Sequence, residues 1–314
     1  MSCKTPVAFI IFRRPDLTRQ VFEAIRQARP SRLFIIADGP RNEAEEALCR
    51  QTRSAVENVD WPCEVIRDYS DSNLGTRLRI SGGLDRVFEQ VEEAIILEDD
   101  CLPHPSFFSY CDELLERYRH DTRVWCISGD NFQRGQTRGD GSYYFSNYNH
   151  GWGWATWKRA WNRYDHEMAG WPAFRDGNYL EGLLDDPLEV NYWRELFETL
   201  YTQGTPNSWA YIWTLTCWMN RGLTVLPNVN LVANTGFGAD ATNTTGKGGC
   251  WIASRPAGEI AFPLIHPSFI ARDRAADLYT FEHVYPGARL RKELCWKYRL
   301  RKKLWLLKQR LTGG

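Results

Sequence analysis

Ala94-Ile95-Ile96-Leu97-Glu98-Asp99-Asp100 sets four apolar residues directly before three acids. A short continuous apolar run of this kind reads as a central strand of a parallel sheet, buried on both faces. Open parallel sheets bind ligands just beyond the carboxyl ends of their strands. The three acids therefore stand where a ligand would sit, and clustered carboxylates in such a place are suited to holding a divalent metal ion.

The chain before this stretch alternates strands and helices. Val7-Ala8-Phe9-Ile10-Ile11-Phe12 reads as a first buried strand, and a helix from about Leu17 to Ala28 carries Val21, Phe22 and Ile25 on one face. Leu33 to Ala37 reads as a second strand ending at the turn sequence Asp38-Gly39-Pro40. An acidic helix around Glu43 to Val56 leads to a third strand, Cys63 to Arg67, and Asn73-Leu74-Gly75 opens a helix through Leu84, Val87 and Phe88. This alternation predicts right-handed crossovers and a mainly parallel sheet covered by helices on both faces, an α/β fold. Beyond Pro103 a helix from about Ser106 to Arg119 and a strand Val124 to Ile127 continue the pattern up to Ser128-Gly129-Asp130. The second half is less regular, with helices expected around Leu188 to Tyr201 and Ala210 to Asn220 and a short strand Leu223 to Leu226.

At 314 residues with no Ser/Gly- or Pro-rich linker, the chain reads as one domain over 1–285, with halves 1–130 and 131–285, followed by a tail over 286–314. Nine cysteines without a CxxC pair exclude a zinc pattern and fit a disulfide framework poorly, so reduced thiols in a cytoplasmic protein are expected. The first apolar run is too short for a secretory signal, and no stretch reaches transmembrane length. The zero net charge hides an asymmetry: Arg289 to Arg310 holds ten Lys or Arg against Glu293 alone, about +9, which the rest of the chain balances. Nine of the 14 Trp lie between Trp152 and Trp218, which points to a sugar-binding surface or to core packing.

Arg14-Pro15 after the first strand, Asp38-Gly39 after the second, Asn73-Leu74-Gly75, and Glu98-Asp99-Asp100 followed by Pro103 and Phe107-Phe108 together resemble the GT-A fold of nucleotide-sugar glycosyltransferases. The likeness is to the bacterial family-2-like enzymes, with a more distant one to the N-acetylglucosaminyltransferase I group, and it covers the first half of the chain. It implies a Rossmann-like nucleotide-sugar-binding half and an irregular, aromatic-rich acceptor-binding half. The activity implied is transfer of a sugar, with inversion, from a UDP-sugar or similar donor to a glycan or lipid-linked acceptor of bacterial surface polysaccharide. By the same resemblance Asp100 ligates Mg²⁺ or Mn²⁺, Asp99 and Glu98 face the ribose or a metal-bound water, Asp38 accepts hydrogen bonds from the base or ribose, and Arg14 lies near base or phosphates. Arg77 and Arg79 are weaker candidates for phosphate contact. Gly75-Thr76-Arg77-Leu78 echoes the loop of sugar nucleotidyltransferases but lacks its glycines, and Gly246-Lys247-Gly248 lacks the flanking residues of a P-loop.

His150-Gly151-Trp152-Gly153-Trp154-Ala155-Thr156-Trp157 brings indoles and permissive backbone together, so Trp152 and Trp154, with Trp209, are candidate acceptor or sugar contacts. An inverting transfer needs a base for the attacking hydroxyl. The family pattern places an acid close to Ala210, and this chain has none there. Asp240, in a Gly-rich segment, then Asp165 and Asp130, are the alternatives, and His266 resembles the late histidine that completes metal coordination in some GT-A enzymes. In the tail, Leu290, Leu294, Tyr298, Leu300, Leu304, Leu307 and Leu311 share one helical face opposite most of the basic residues, the pattern of an interfacial anchor for an anionic membrane on its cytoplasmic side. No nucleic-acid motif accompanies it. Two other readings stand beside the transferase: a noncatalytic GT-A-derived carbohydrate-binding protein, favoured by Ala210, and a sugar nucleotidyltransferase.

Overall fold

All five residues of β1 (Val7–Ile11) are buried, and their side chains alternate between two separate cores. Val7, Phe9 and Ile11 pack with Val21, Phe22 and Ile25 of α1 (Pro15–Ala28), whereas Ala8 and Ile10 face the opposite way. This period-two division is what a strand buried on both faces requires. The computed structural model describes residues 3–237 and 255–297.

The alternation continues through β2 (Arg32–Ala37), α2 (Glu43–Ser54), β3 (Glu64–Tyr69), α3 (Gly75–Gln90) and β4 (Glu93–Glu98). Pro15 opens α1, where its missing N–H costs nothing, and the Asn42 side chain caps α2 by accepting from Glu45 N at 3.1 Å. Then come β5 (Cys101–Pro103), α4 (Ser106–Tyr118) and β6 (Val124–Ser128). The second half adds β7 (Tyr143–Ser146), β8 (Trp154–Trp157), the short α5 (Lys158–Trp161) and α6 (Trp171–Asp176), α7 (Pro187–Gln203), α8 (Trp209–Met219), β9 (Leu223–Pro227), β10 (Val232–Asn234) and α9 (Arg274–His283). Residues 287–297 are helical as well.

Eight strands form one sheet in the order β3-β2-β1-β4-β8-β6-β9-β7, and β10 pairs with β5 in a small separate ribbon. The expected α/β fold is the one adopted: β3, β2, β1 and β4 are mutually parallel, as are β6 and β9, and helices cover both faces. Two strands run against the rest, β8 between β4 and β6 and β7 at the edge. The sequence reading made Trp154 a candidate sugar contact, with core packing as the alternative for the indoles. Four residues with two large side chains carry too little pattern to announce a strand, but Ile95 and Ile127 both register with Ala155, so the segment is the middle of the sheet.

From β1 the chain moves outward to β2 and β3, then returns to place β4 on the other side of β1. The crevice at the carboxyl ends of β1 and β4 is thus a topological switch point, where open α/β sheets hold their ligands.

Candidate functional site

A cleft of about 470 Å³ opens at that switch point. The end of β1 contributes Phe12 and Arg14, the end of β2 Asp38, and the end of β4 Glu98, Asp99 and Asp100. Gly151, Trp152 and the start of α8 from Asn207 to Ala210 line the cleft as well, together with Asn234.

The quoted acids meet Arg14 here. One guanidinium nitrogen of Arg14 lies 2.6 Å from Asp100 Oδ2 and 3.3 Å from Asp99 Oδ1, and the Phe12 N–H donates to Asp99 Oδ2 at 3.2 Å. Burial raises the pKa of Glu98, and the neighbouring Asp100 and Asp99 charges raise it further; a hydrogen bond from Trp209 acts the other way. Asp99 is raised by burial and by Asp100, against Arg14. Burial disfavours the Arg14 charge, yet Asp99 and Asp100 outweigh it and its pKa rises. Three carboxylates crowded on one guanidinium leave an excess of negative potential, which an incoming cation would relieve.

Asp38 lines the cleft, but its carboxylate is taken up by its own chain. Oδ1 accepts from Gly39 N and Leu74 N, both at 2.9 Å, and Oδ2 from Asn73 Nδ2 and Gly75 N, both at 3.0 Å. Four N–H donors fill the lone-pair sites of a carboxylate. Asp38 therefore shapes the Asn73-Leu74-Gly75 loop, in place of the expected base or ribose contact. A Cβ on Gly39 would meet the Ser72 backbone at 2.5 Å, so that turn requires glycine. Arg77 turns away from the cleft to donate to the His166 carbonyl. Arg79 lines the cleft but is buried among the Ala37 carbonyl, at 3.1 Å, and Asp68, at 2.9 Å, and ties α3 to the sheet. Neither arginine has the open guanidinium that the phosphate reading needed.

Of the three candidate indoles, Trp152 is half-buried on the cleft wall and Trp209 lines it with 4 % of its surface exposed. Trp154 is 1 % exposed and stacks on Trp209 at 5.2 Å with Trp213 at 5.6 Å, so it belongs to the core. Its place on β8 makes that inevitable. Asp130 is fully buried behind Trp152, whose N–H donates to its Oδ2 at 3.0 Å, and burial raises its pKa. It does not line the cleft. Asp165 accepts from Glu167 N at 3.0 Å and Ala169 N at 2.7 Å and closes a turn away from the cleft. His266 bonds the Tyr143 hydroxyl at 2.9 Å and lies 3.4 Å from Glu113. Tyr143 is on β7, four strands from β4, roughly 19 Å at the usual strand spacing, so His266 does not join Asp100. Asp240 lies outside the described residues, as does the Gly246-Lys247-Gly248 motif.

Sequence reasoning gave no site role to Asn207, Ser208 and Asn234, which line the cleft. Gly236, in the Gly-rich segment that leads to Asp240, lies against Asp100.

Among the described residues no three His, Cys, Asp or Glu converge into a preformed metal cage. Mg²⁺ is usually held by one or two carboxylates with substrate phosphates and water supplying the remaining oxygens. Asp100 and Asp99, hard oxygen donors on a cleft wall of net negative charge, meet that requirement in chemistry.

No protein-family model matches this chain, and no curated protein does. Among solved structures, a UDP-glucose pyrophosphorylase complexed with UDP-glucose is similar over 50 % of this chain and 78 % of its own, with 9 % identity and a TM-score of 0.30. The galactosyltransferase LgtC, in complex with donor and acceptor sugar analogues, is similar over 55 % of this chain and 65 % of its own, with 14 % identity and a TM-score of 0.31.

Proposed function

We propose that the protein is a nucleotide-sugar-using enzyme with a GT-A-like site, a glycosyltransferase that moves a sugar from a nucleotide donor to a glycan or lipid-linked acceptor. The observation that carries this reading is the convergence of Arg14, Glu98, Asp99 and Asp100 in a cleft at the topological switch point between β1 and β4. In this reading Asp100, with Asp99, holds Mg²⁺ or Mn²⁺, which when bound stabilises negative charge on the departing diphosphate. Arg14 keeps the two carboxylates in place, and the Phe12 amide fixes the rotamer of Asp99. The loop shaped by Asp38 forms the nucleoside end of the cleft, and the Trp152 ring offers an apolar face to a sugar.

One observation favours a second reading. Among the described residues the rest of the cleft lining toward α8 is made of Gly151, Trp152, Asn207, Ser208, Trp209 and Ala210, with no carboxylate to take a proton. A protein that binds a sugar nucleotide without transferring the sugar fits that lining.

Calorimetric titration with UDP, GDP and dTDP, with and without Mn²⁺, followed by hydrolysis of the matching sugar nucleotides, tests both. Tight binding with turnover supports the transferase, binding with no turnover of any donor supports the second reading, and binding of none sinks both. For the tail, we propose attachment to an anionic membrane. The described part, 287–297, leaves Leu294 and Trp296 exposed, while Arg291 pairs with Glu282 and Asp186. Among the described residues no helix is long and apolar enough to cross a membrane. Flotation with phosphatidylserine vesicles, comparing the full chain with one ending at Pro286, checks the idea; equal flotation overturns it.

A further inference from the structure

The segment that follows β9 is anchored at both ends beside Trp152 and Gly153 and reaches Asp100 in its middle. At one end, β10 is held in a socket: a Cβ on Gly129 or Gly153 would come within 2.5 or 2.7 Å of Val232 Cγ2, so both positions are bare to admit that valine. Gly129 follows β6, and Gly153 precedes β8 at a φ of +68. β10 then pairs antiparallel with β5, with Asn234 opposite Cys101, the residue after Asp100. Thr235 donates twice to the Asp100 carbonyl, from its N–H at 2.8 Å and its hydroxyl at 3.1 Å. The Asn234 side chain accepts from Gly236 N at 2.8 Å, which fixes the turn. Gly236 itself lies against the Asp100 side chain: a Cβ there would sit 2.9 Å from Asp100 Cβ and would overlap its Oδ2. That oxygen is the one on Arg14. At the far end, the Phe237 ring stands edge-on to Trp152 at 5.4 Å.

We infer that Val232 to Phe237 is a positioning strap for Asp100, in which Thr235 pins the backbone of the acid and Gly236 leaves the room in which its carboxylate stays on Arg14. Neither Thr235 nor Gly236 lines the cleft, so the strap acts through Asp100, and Val232 and Phe237 anchor it beside Gly153 and Trp152. Its ligand rests on the donor reading above. A side chain at 236 would turn the Asp100 carboxylate off Arg14, and loss of the Thr235 hydroxyl would loosen the same residue by one hydrogen bond.

The test uses the full chain, UDP with Mn²⁺, and UMP as the control that lacks the second phosphate. Gly236→Ala is expected to weaken UDP by about 10- to 100-fold, as loss of groups that orient a ligand usually does. UMP affinity and thermal midpoint are expected to change little. Thr235→Val is expected to weaken UDP by about 3- to 10-fold, one net hydrogen bond. UDP binding by Gly236→Ala equal to that of the unaltered chain overturns the inference, and so does an equal loss of UDP and UMP, which a merely structural defect would give. If Gly236→Ala does not fold, Thr235→Val and Phe237→Leu are read by the same two outcomes. If the unaltered chain binds neither nucleotide, the donor reading fails by itself. The strap is then judged from a crystal structure of Gly236→Ala, where an Asp100 carboxylate still on Arg14 overturns it and a displaced one supports it.

Discussion

The rim at the ends of β1 and β4 and the aromatic stretch from Trp152 to Trp218 both carry residue types that suit a sugar nucleotide, yet they obey different constraints. On the rim, polar groups stand where strands stop and the cleft begins: Arg14, Asp99 and Asp100 pair with one another across the ends of two adjacent strands. In the aromatic stretch the rings face inward. Trp154, Trp157, Trp161, Trp171, Trp193, Trp213 and Trp218 are all almost fully buried, and several indole N–H groups bond within the protein: Trp193 to the Tyr148 hydroxyl at 3.0 Å, Trp218 to the Asn147 carbonyl at 2.7 Å. Indoles satisfied in this way are packing, and only Trp152 and Trp209 reach the cleft. The lesson is that residue type proposes a surface, while the position of a strand end decides whether the surface exists.

Four experiments put this contrast to the test. Trp154→Ala should cost the most, about 3–5 kcal/mol of stability, because it empties the centre of an indole stack. Denaturant unfolding measures it, and a near-neutral result would mean that the stretch is not core. Asp100→Asn should leave stability nearly intact and weaken UDP in Mn²⁺ by about 100-fold, about 2.7 kcal/mol. Unchanged affinity would detach the rim from the donor.

The third concerns Glu189, buried beneath the aromatic stretch with Tyr148 donating to it. Burial is the main cause that pushes its pKa up to about 7. Between roughly pH 4.5 and 7 the folded chain then holds a proton that the unfolded chain has released, so this group's contribution to stability falls as pH rises through that window. Glu189→Gln carries no such charge. Relative to the parent it should gain about 3 kcal/mol between pH 4 and pH 8, read from urea midpoints at each pH. A parallel pH profile for the two chains would refute the assignment. The smallest effect belongs to His266→Ala, remote from the cleft, which should change UDP affinity by less than about 0.5 kcal/mol. A larger loss would bring His266 back to the metal.

Much of the rim was legible because strand ends announce themselves: an apolar run that breaks into acids locates both a buried strand and what lies beyond it. Asp99 and Asp100 were found that way, Arg14 and Asp38 through the family resemblance, and all four line the cleft. The role of Asp38 was not legible, since the four donors that occupy it come from a turn and from residues 73 to 75, whose pairing depends on the fold. Trp154 was misassigned because a four-residue strand between β4 and β6 has no period long enough to read. Arg77 and His266 were misplaced for a simpler reason: a side chain's partner is set by what packs opposite it, His166 for one and Tyr143 with Glu113 for the other.

By itself the sequence determined the class of the fold and the three buried strands β1, β2 and β4, because burial on both faces leaves an uninterrupted apolar signature that neighbours cannot disguise. It also determined which residues end those strands. Only the tertiary structure decided that β8 enters antiparallel beside β4, that the indoles turn inward, and that Thr235 and Gly236 return to hold Asp100. Those outcomes depend on contacts between segments more than forty residues apart, and such contacts leave no local pattern in either segment.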